Sequence, residues 1–171
     1  EFKLRTSGDA RQMGSGRYYG WVGGQFAEYT YPDNVSPGQG SWGATQDFID
    51  CYNRMIWNGS DRRSPGVPYA NGASPAAVHD WNGYQVQDFK NGDYYGTSIM
   101  IRNPNDGKVR LVHSIYWNAY RNANGIVSLG AATSDQSDKT GTQYFQRGRI
   151  VGHESWAEVI LNGNRPITFF S

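Results

Sequence analysis

Gly141 to Gly152 read GTQYFQRGRIVG, and Tyr84 to Gly96 read YQVQDFKNGDYYG. Both contain Gln-x-Phe-x-x-Gly, then one residue, two hydrophobic residues and a closing Gly. The phrase has a third, weaker copy at Arg11 to Gly20, RQMGSGRYYG, where Met13 takes the place of the Phe and Arg11 that of the Gln. Aligning Gly16, Gly92 and Gly148 gives GRYYG, GDYYG and GRIVG. A phrase repeated at long intervals marks a repeat-built architecture, because units this short must share a core with their neighbours. Phe89 and Phe145 are 56 residues apart, whereas Met13 precedes Phe89 by 76. Extra residues are therefore expected around Pro32–Gly43 and Tyr69–Tyr84.

A second element recurs between these phrases. Cys51 to Pro68, CYNRMIWNGSDRRSPGVP, lies over Ile115 to Ala132, IYWNAYRNANGIVSLGAA, pairing Tyr52 with Tyr116, Asn58 with Asn122 and Gly66 with Gly130. In the first copy Phe48, Cys51, Tyr52, Met55 and Ile56 fall at i, i+3, i+4, i+7 and i+8, one face of a helix. Thr45 is placed to cap its N-terminus and Gly59 to end it. Val112, Ile115, Tyr116 and Ala119 are similarly spaced, with Asn124-Gly125 as terminator. Elsewhere the pattern is of hairpins: β-formers in YYGTSIMIRNPNDGKVRLV flank an Asn-Pro-Asn-Asp-Gly turn, and GRIVGHESWAEVIL has a similar form. The expected fold is α+β, one pseudo-symmetric domain over 9–171 of about three degenerate repeats. Each repeat is a short helix, a Gly loop and a β-hairpin. Residues 1–8 read as a tag or linker remnant ahead of it.

Composition limits the function. Charged residues are only 18% of 171, glycines number 22 and aromatics reach 15%, a balance that favours turns and short strands over long solvated helices. The net charge is +1 and no basic block exists, so the phosphate-neutralising stripe of a nucleic-acid binder is missing. No apolar run approaches the ~20 residues of a membrane-spanning helix. With Cys51 as the one cysteine, neither an intrachain disulfide nor a Cys-cluster zinc site can form.

The stretch from Val112 to Ile160 resembles the LGFP repeat of Gram-positive cell-wall proteins. Ile115, Tyr116, Gly125, Leu129-Gly130, Thr133-Ser134-Asp135, Gln143, Phe145, Gly148, Ile150 and Val159 sit on that pattern. The preceding copy matches it at Pro65-Gly66-Val67-Pro68, Gln87, Phe89 and Gly92. The chain departs from it at Val67 and Ala131, where the family has Phe or Tyr, and at Ala132 in place of Pro. The resemblance covers about residues 45–160. It implies a non-catalytic, extracellular wall-associated module, often joined to a hydrolase or esterase. The expected partners are thus a bacterial cell-wall glycan and an N-terminal catalytic domain of a secreted or phage-derived lytic enzyme, with no cofactor and no metal.

Met13, Phe89 and Phe145 are expected in the core, with Gln87 and Gln143 bonding backbone. The remaining rings exceed the needs of a small core. A flat aromatic stacks on the C–H face of a sugar while Asn and Asp side chains bond its hydroxyls. The expected ligand-binding residues are Trp42 and Trp81, foremost because both lie in the extra segments. Tyr18, Tyr19, Trp21, Tyr94, Tyr95, Trp117, Trp156, Asp80 and Asn82 complete the set. A competing reading is a Cys/His amidase or endopeptidase using Cys51 and His113. A zinc site at His79-Asp80 or His153-Glu154 and a carboxylate-pair glycosidase are further alternatives, as is a protein-docking module.

Overall fold

The computed structural model describes residues 11–14, 17–22, 25–30, 44–56, 65–72, 74–75, 77–91, 94, 96–163 and 165–170, with the backbone alone for the first three strands and the last. The fold is mixed, with small antiparallel sheets and few helices. The chain makes two compact units, Glu1–His79 with Gln87–Ser98, and Asp80–Val86 with Ile99–Ser171.

In the first unit, β1 (Arg11–Gly14), β2 (Arg17–Val22) and β3 (Gln25–Thr30) form a three-stranded antiparallel meander. Helix α1 (Gln46–Ile56) follows. The Thr45 carbonyl accepts the Phe48 N–H at 3.0 Å, closing the first turn. The predicted apolar face is the buried one: Phe48, Cys51 and Tyr52 are inaccessible and Met55 nearly so. Beyond it, β4 (Gly66–Pro68) pairs antiparallel with the end of β6 (Tyr84–Asn91), Pro68 opposite Phe89. Strand β6 passes from one unit into the other, since its first three residues belong to the second.

The second unit holds β5 (His79–Trp81) from Asp80 onward, and the hairpin of β7 (Ser98–Arg102) and β8 (Val109–His113) from Ile99 onward. The Asn-Pro-Asn-Asp-Gly turn stands where the sequence put it. The Asn103 N–H reaches the Lys108 carbonyl at 2.9 Å, and Arg110 reaches Asp106 at 2.7 Å. That guanidinium holds the Asp106 carboxyl below the usual carboxylate range. After helix α2 (Ser114–Asn122), Asn124 takes the left-handed conformation, and a single turn α3 (Gly125–Ser128) leads to the Leu129-Gly130 loop. A four-stranded meander completes the unit: β9 (Thr142–Phe145), β10 (Gly148–Gly152), β11 (Trp156–Leu161) and β12 (Arg165–Phe170). Alternation along these strands sends Gln143, Phe145, Ile150, Ala157 and Val159 inward. They pack on Tyr116, Trp117, Tyr120, Ile126 and Leu129 to form the core.

Each unit contains a cluster wired in the same way. In the first, the Tyr52 hydroxyl donates to the Gly66 carbonyl and its ring meets Phe89, centroids 5.7 Å apart. In the second, the Tyr120 hydroxyl donates to the Gly130 carbonyl at 2.8 Å and its ring meets Phe145 at 5.4 Å. Gly66 and Gly130 both have positive φ, 92° and 77°. The Tyr69 N–H reaches the Asp88 carbonyl at 3.1 Å, as the Thr133 N–H reaches that of Tyr144 at 2.8 Å. Tyr120 therefore takes the place in which sequence alignment puts Tyr116. The two tyrosines lie one helical turn apart on one face, and Tyr116 bonds the Gly141 carbonyl instead, at 2.7 Å.

Phe89 and Phe145 are buried as expected. Gln143 Nε2 bonds the Leu111 and Ser134 carbonyls, each at 3.1 Å, which ties β9 to β8 and to the loop before it. The side chain of Met13, and Gly59, lie outside the described residues. Among the described residues no helix is long and apolar enough to cross a membrane.

Candidate functional site

The best-formed half-exposed aromatic pair stands at the β5–β6 hairpin of the second unit. Its two-residue turn is Asn82-Gly83, and both residues have positive φ, 51° and 87°. That is the tight turn whose twist matches paired strands, and Asn-Gly is its preferred sequence. The Asp80 carboxylate braces it by accepting the Gly83 N–H at 3.3 Å. The turn places Trp81 and Tyr84 opposite one another, with side chains on the same side. Both are partly buried and packed on the core, while Asp80 and Asn82 are exposed. Trp81 meets Trp117 edge-on, centroids 6.4 Å apart at 82°. The Tyr84 hydroxyl donates to Gln146 Oε1 at 2.7 Å, and the same oxygen accepts the Ala131 N–H at 3.0 Å. Trp81 and Tyr84 are thus held against the core and remain partly exposed, with the exposed Asp80 and Asn82 as their chain neighbours.

The other expected residues fall differently. Trp117 and Tyr94 are 4% and 7% exposed, so both rings serve the interior. Trp117 stacks on Tyr120, one turn on in α2, at 5.9 Å, and both belong to the buried core. Trp156 is partly exposed at the start of β11, but His153 lies parallel over its ring, centroids 4.2 Å apart at 20°. One face of that indole is already covered. Trp42 and Tyr95 lie outside the described residues, as do the side chains of Tyr18, Tyr19 and Trp21. Tyr84 was not singled out by sequence. Its signal was its place directly after the Asn-Gly turn, facing Trp81.

The alternative chemistries find these surroundings. Cys51 is inaccessible in α1, and a thiol sealed from solvent cannot attack a substrate. His113 ends β8, 5% exposed, with Nδ1 3.0 Å from the Ser114 hydroxyl, and belongs to the other unit. His79 donates Nδ1–H to the Ala77 carbonyl at 2.8 Å and turns Nε2 to Asp88, 3.6 Å away. Burial pushes the Asp88 carboxyl above its ordinary value, an effect that His79 partly offsets. Burial likewise raises the Tyr116 and Tyr120 hydroxyls. Among the described residues no three His, Cys, Asp or Glu side chains are grouped to hold a metal.

No family model matches this chain, and no curated protein matches it significantly.

Proposed function

We propose that the chain is a carbohydrate-binding module that attaches to bacterial cell-wall glycan or peptidoglycan, with Trp81 and Tyr84 as its stacking surface. The observation that carries this reading is the braced turn Asp80-Trp81-Asn82-Gly83. It holds a partly exposed indole and a partly exposed phenol at the two ends of one tight turn, whose Asp80 and Asn82 are exposed. Aromatic faces bind the apolar side of a sugar, and polar groups at the edge bind its hydroxyls. One such stacking contact contributes about 0.5–1.5 kcal/mol, taking aromatic pairs as the measure. A single patch of this kind is therefore weak, and attachment to a polymer gains from several contacts at once.

The similarity to LGFP repeats supports the wall as the location, outside the cell, and a catalytic domain of a lytic enzyme as the companion. The matched clusters at Tyr52–Gly66–Phe89 and Tyr120–Gly130–Phe145 support a frame of degenerate repeats. In this reading the module performs no chemistry of its own.

The test is co-sedimentation of the chain with purified walls from several bacterial species. Binding that Trp81→Ala abolishes, with the fold intact by circular dichroism, is the expected result. Failure to sediment with any wall, or clearing of the wall suspension by the chain alone, would overturn it.

A further inference from the structure

Two exposed guanidinium groups lie against residues that pack on Trp81 or Tyr84, and among the described residues neither has an acidic partner. Arg121 lies one turn beyond Trp117 on α2. Its guanidinium sits over the Trp117 ring, Cζ 5.0 Å from the centroid, and Nη2 donates to Asn118 Oδ1. Arg147 stands in the β9–β10 turn and donates Nη2 to the Val127 carbonyl at 2.6 Å. A Cβ built on Gly130 would meet the Tyr84 hydroxyl at 3.1 Å and Arg147 Nη1 at 3.2 Å. Hydroxyl and guanidinium therefore converge on one point above the Gly130 loop. Arg121 is thereby joined to the surface through Trp117, which touches Trp81, and Arg147 through Tyr84.

Arg110 shows what a structural arginine looks like in this fold. It is buried, and both its terminal nitrogens are engaged, one by the Ala132 carbonyl and one by Asp106. Arg121 and Arg147 are exposed instead. Each is held by one neutral oxygen, with further N–H donors left over. A positioned guanidinium without a counter-charge binds carboxylate or phosphate by charge-assisted hydrogen bonds. The one acid on the hairpin turn, Asp80, has its carboxylate directed to the Gly83 N–H.

We propose that the polysaccharide bound here is acidic, with carboxylate or phosphate groups taken by Arg121 and Arg147 while Trp81 and Tyr84 stack on its sugars. This rests on the carbohydrate-binding reading and names the ligand class within it.

The test compares binding to polygalacturonate, to poly(glycerol phosphate) and to neutral dextran by titration calorimetry. At low salt at least one acidic polymer should bind about tenfold more tightly than dextran, the effect of one charge-assisted contact. Salt near 1 M, which shortens the screening length to about 3 Å, should remove the difference. Arg147→Gln and Arg121→Gln should each lower acidic-polymer affinity and leave any dextran binding as it was. Arg149→Gln, at a β10 position that alternates with the core-facing Ile150, removes the same charge and should change nothing. Equal affinity for dextran and both acidic polymers would overturn the charge proposal and leave carbohydrate binding standing. So would an Arg149→Gln loss as large as that of Arg147→Gln. Binding to none of the three, nor to whole walls, would overturn both readings.

Discussion

The cluster of Tyr52, Gly66 and Phe89 and that of Tyr120, Gly130 and Phe145 use the same hydrogen bond, the same ring contact and the same backbone conformation. They differ in what lies between loop and strand. From Gly66 to Phe89 the chain takes 23 residues, and from Gly130 to Phe145 it takes 15. The longer path includes β5 and its tight turn, and that turn carries Trp81, Asp80 and Asn82. The candidate site thus stands on a hairpin that the path from Gly66 to Phe89 has and the path from Gly130 to Phe145 lacks. In the proposed reading, the two clusters hold the strands and that hairpin serves a ligand. A second difference falls one residue before each Phe. Asp88 is buried against His79, whereas Tyr144 is 51% exposed.

Phe89→Ala and Phe145→Ala should have the largest effects, about 3–5 kcal/mol each for a buried phenylalanine. Chemical denaturation measures them, and similar costs at the two sites would sharpen the comparison. Gly130→Ala comes next. Its Cβ would stand 2.3 Å from Gln146 Oε1 at a φ of 77°, and such a backbone costs about 1–3 kcal/mol. The same change should disturb the Tyr84 hydroxyl and lower wall binding. Tyr120→Phe and Tyr52→Phe each remove the hydroxyl that donates to a glycine carbonyl, for about 1–2 kcal/mol. A large loss at one and none at the other would break the equivalence of the clusters.

The smallest effect is expected at Asp88. Its folded-state pKa lies above the ordinary 3.8, so between the two values the folded state holds more protons than the unfolded one. This contribution to stability is complete below about pH 4 and is lost as pH rises through the raised pKa. Asp88→Asn should flatten that decline in a pH series of thermal melts. An unchanged slope would show that the carboxyl titrates normally.

Much of the frame was legible because it depends on local pattern. The spacing of Phe48, Cys51, Tyr52 and Met55 gave α1 and its buried face, and the Asn-Pro-Asn-Asp-Gly run gave the β7–β8 hairpin. Gln143 was read as a backbone-bonding residue and is one. Which tyrosine of α2 bonds the Gly130 carbonyl was not legible, since Tyr116 and Tyr120 are four apart and share a helix face, and it is Tyr120 that reaches it. Burial of Trp117 was not legible, because it depends on Trp81 approaching from β5, while Tyr120 meets the same ring from one turn on in α2. The same is true of the His153 ring over Trp156: two residues in one hairpin suggest nearness, and the parallel stacking follows from the β10–β11 turn geometry. Arg121 and Arg147 carry no sequence signature, because the contacts that distinguish them, Trp117 for one and Val127 with the Gly130 loop for the other, are made only in the fold.

The most direct measurement is an NMR titration of the isotopically labelled chain with a soluble wall glycan fragment, following the indole N–H resonances and assigning Trp81 by Trp81→Phe. The account predicts that the Trp81 indole and the amides of Asn82, Tyr84 and Arg147 shift together and saturate, while Trp117 follows weakly. A titration in which the Trp81 resonance stays fixed while other residues respond would contradict it.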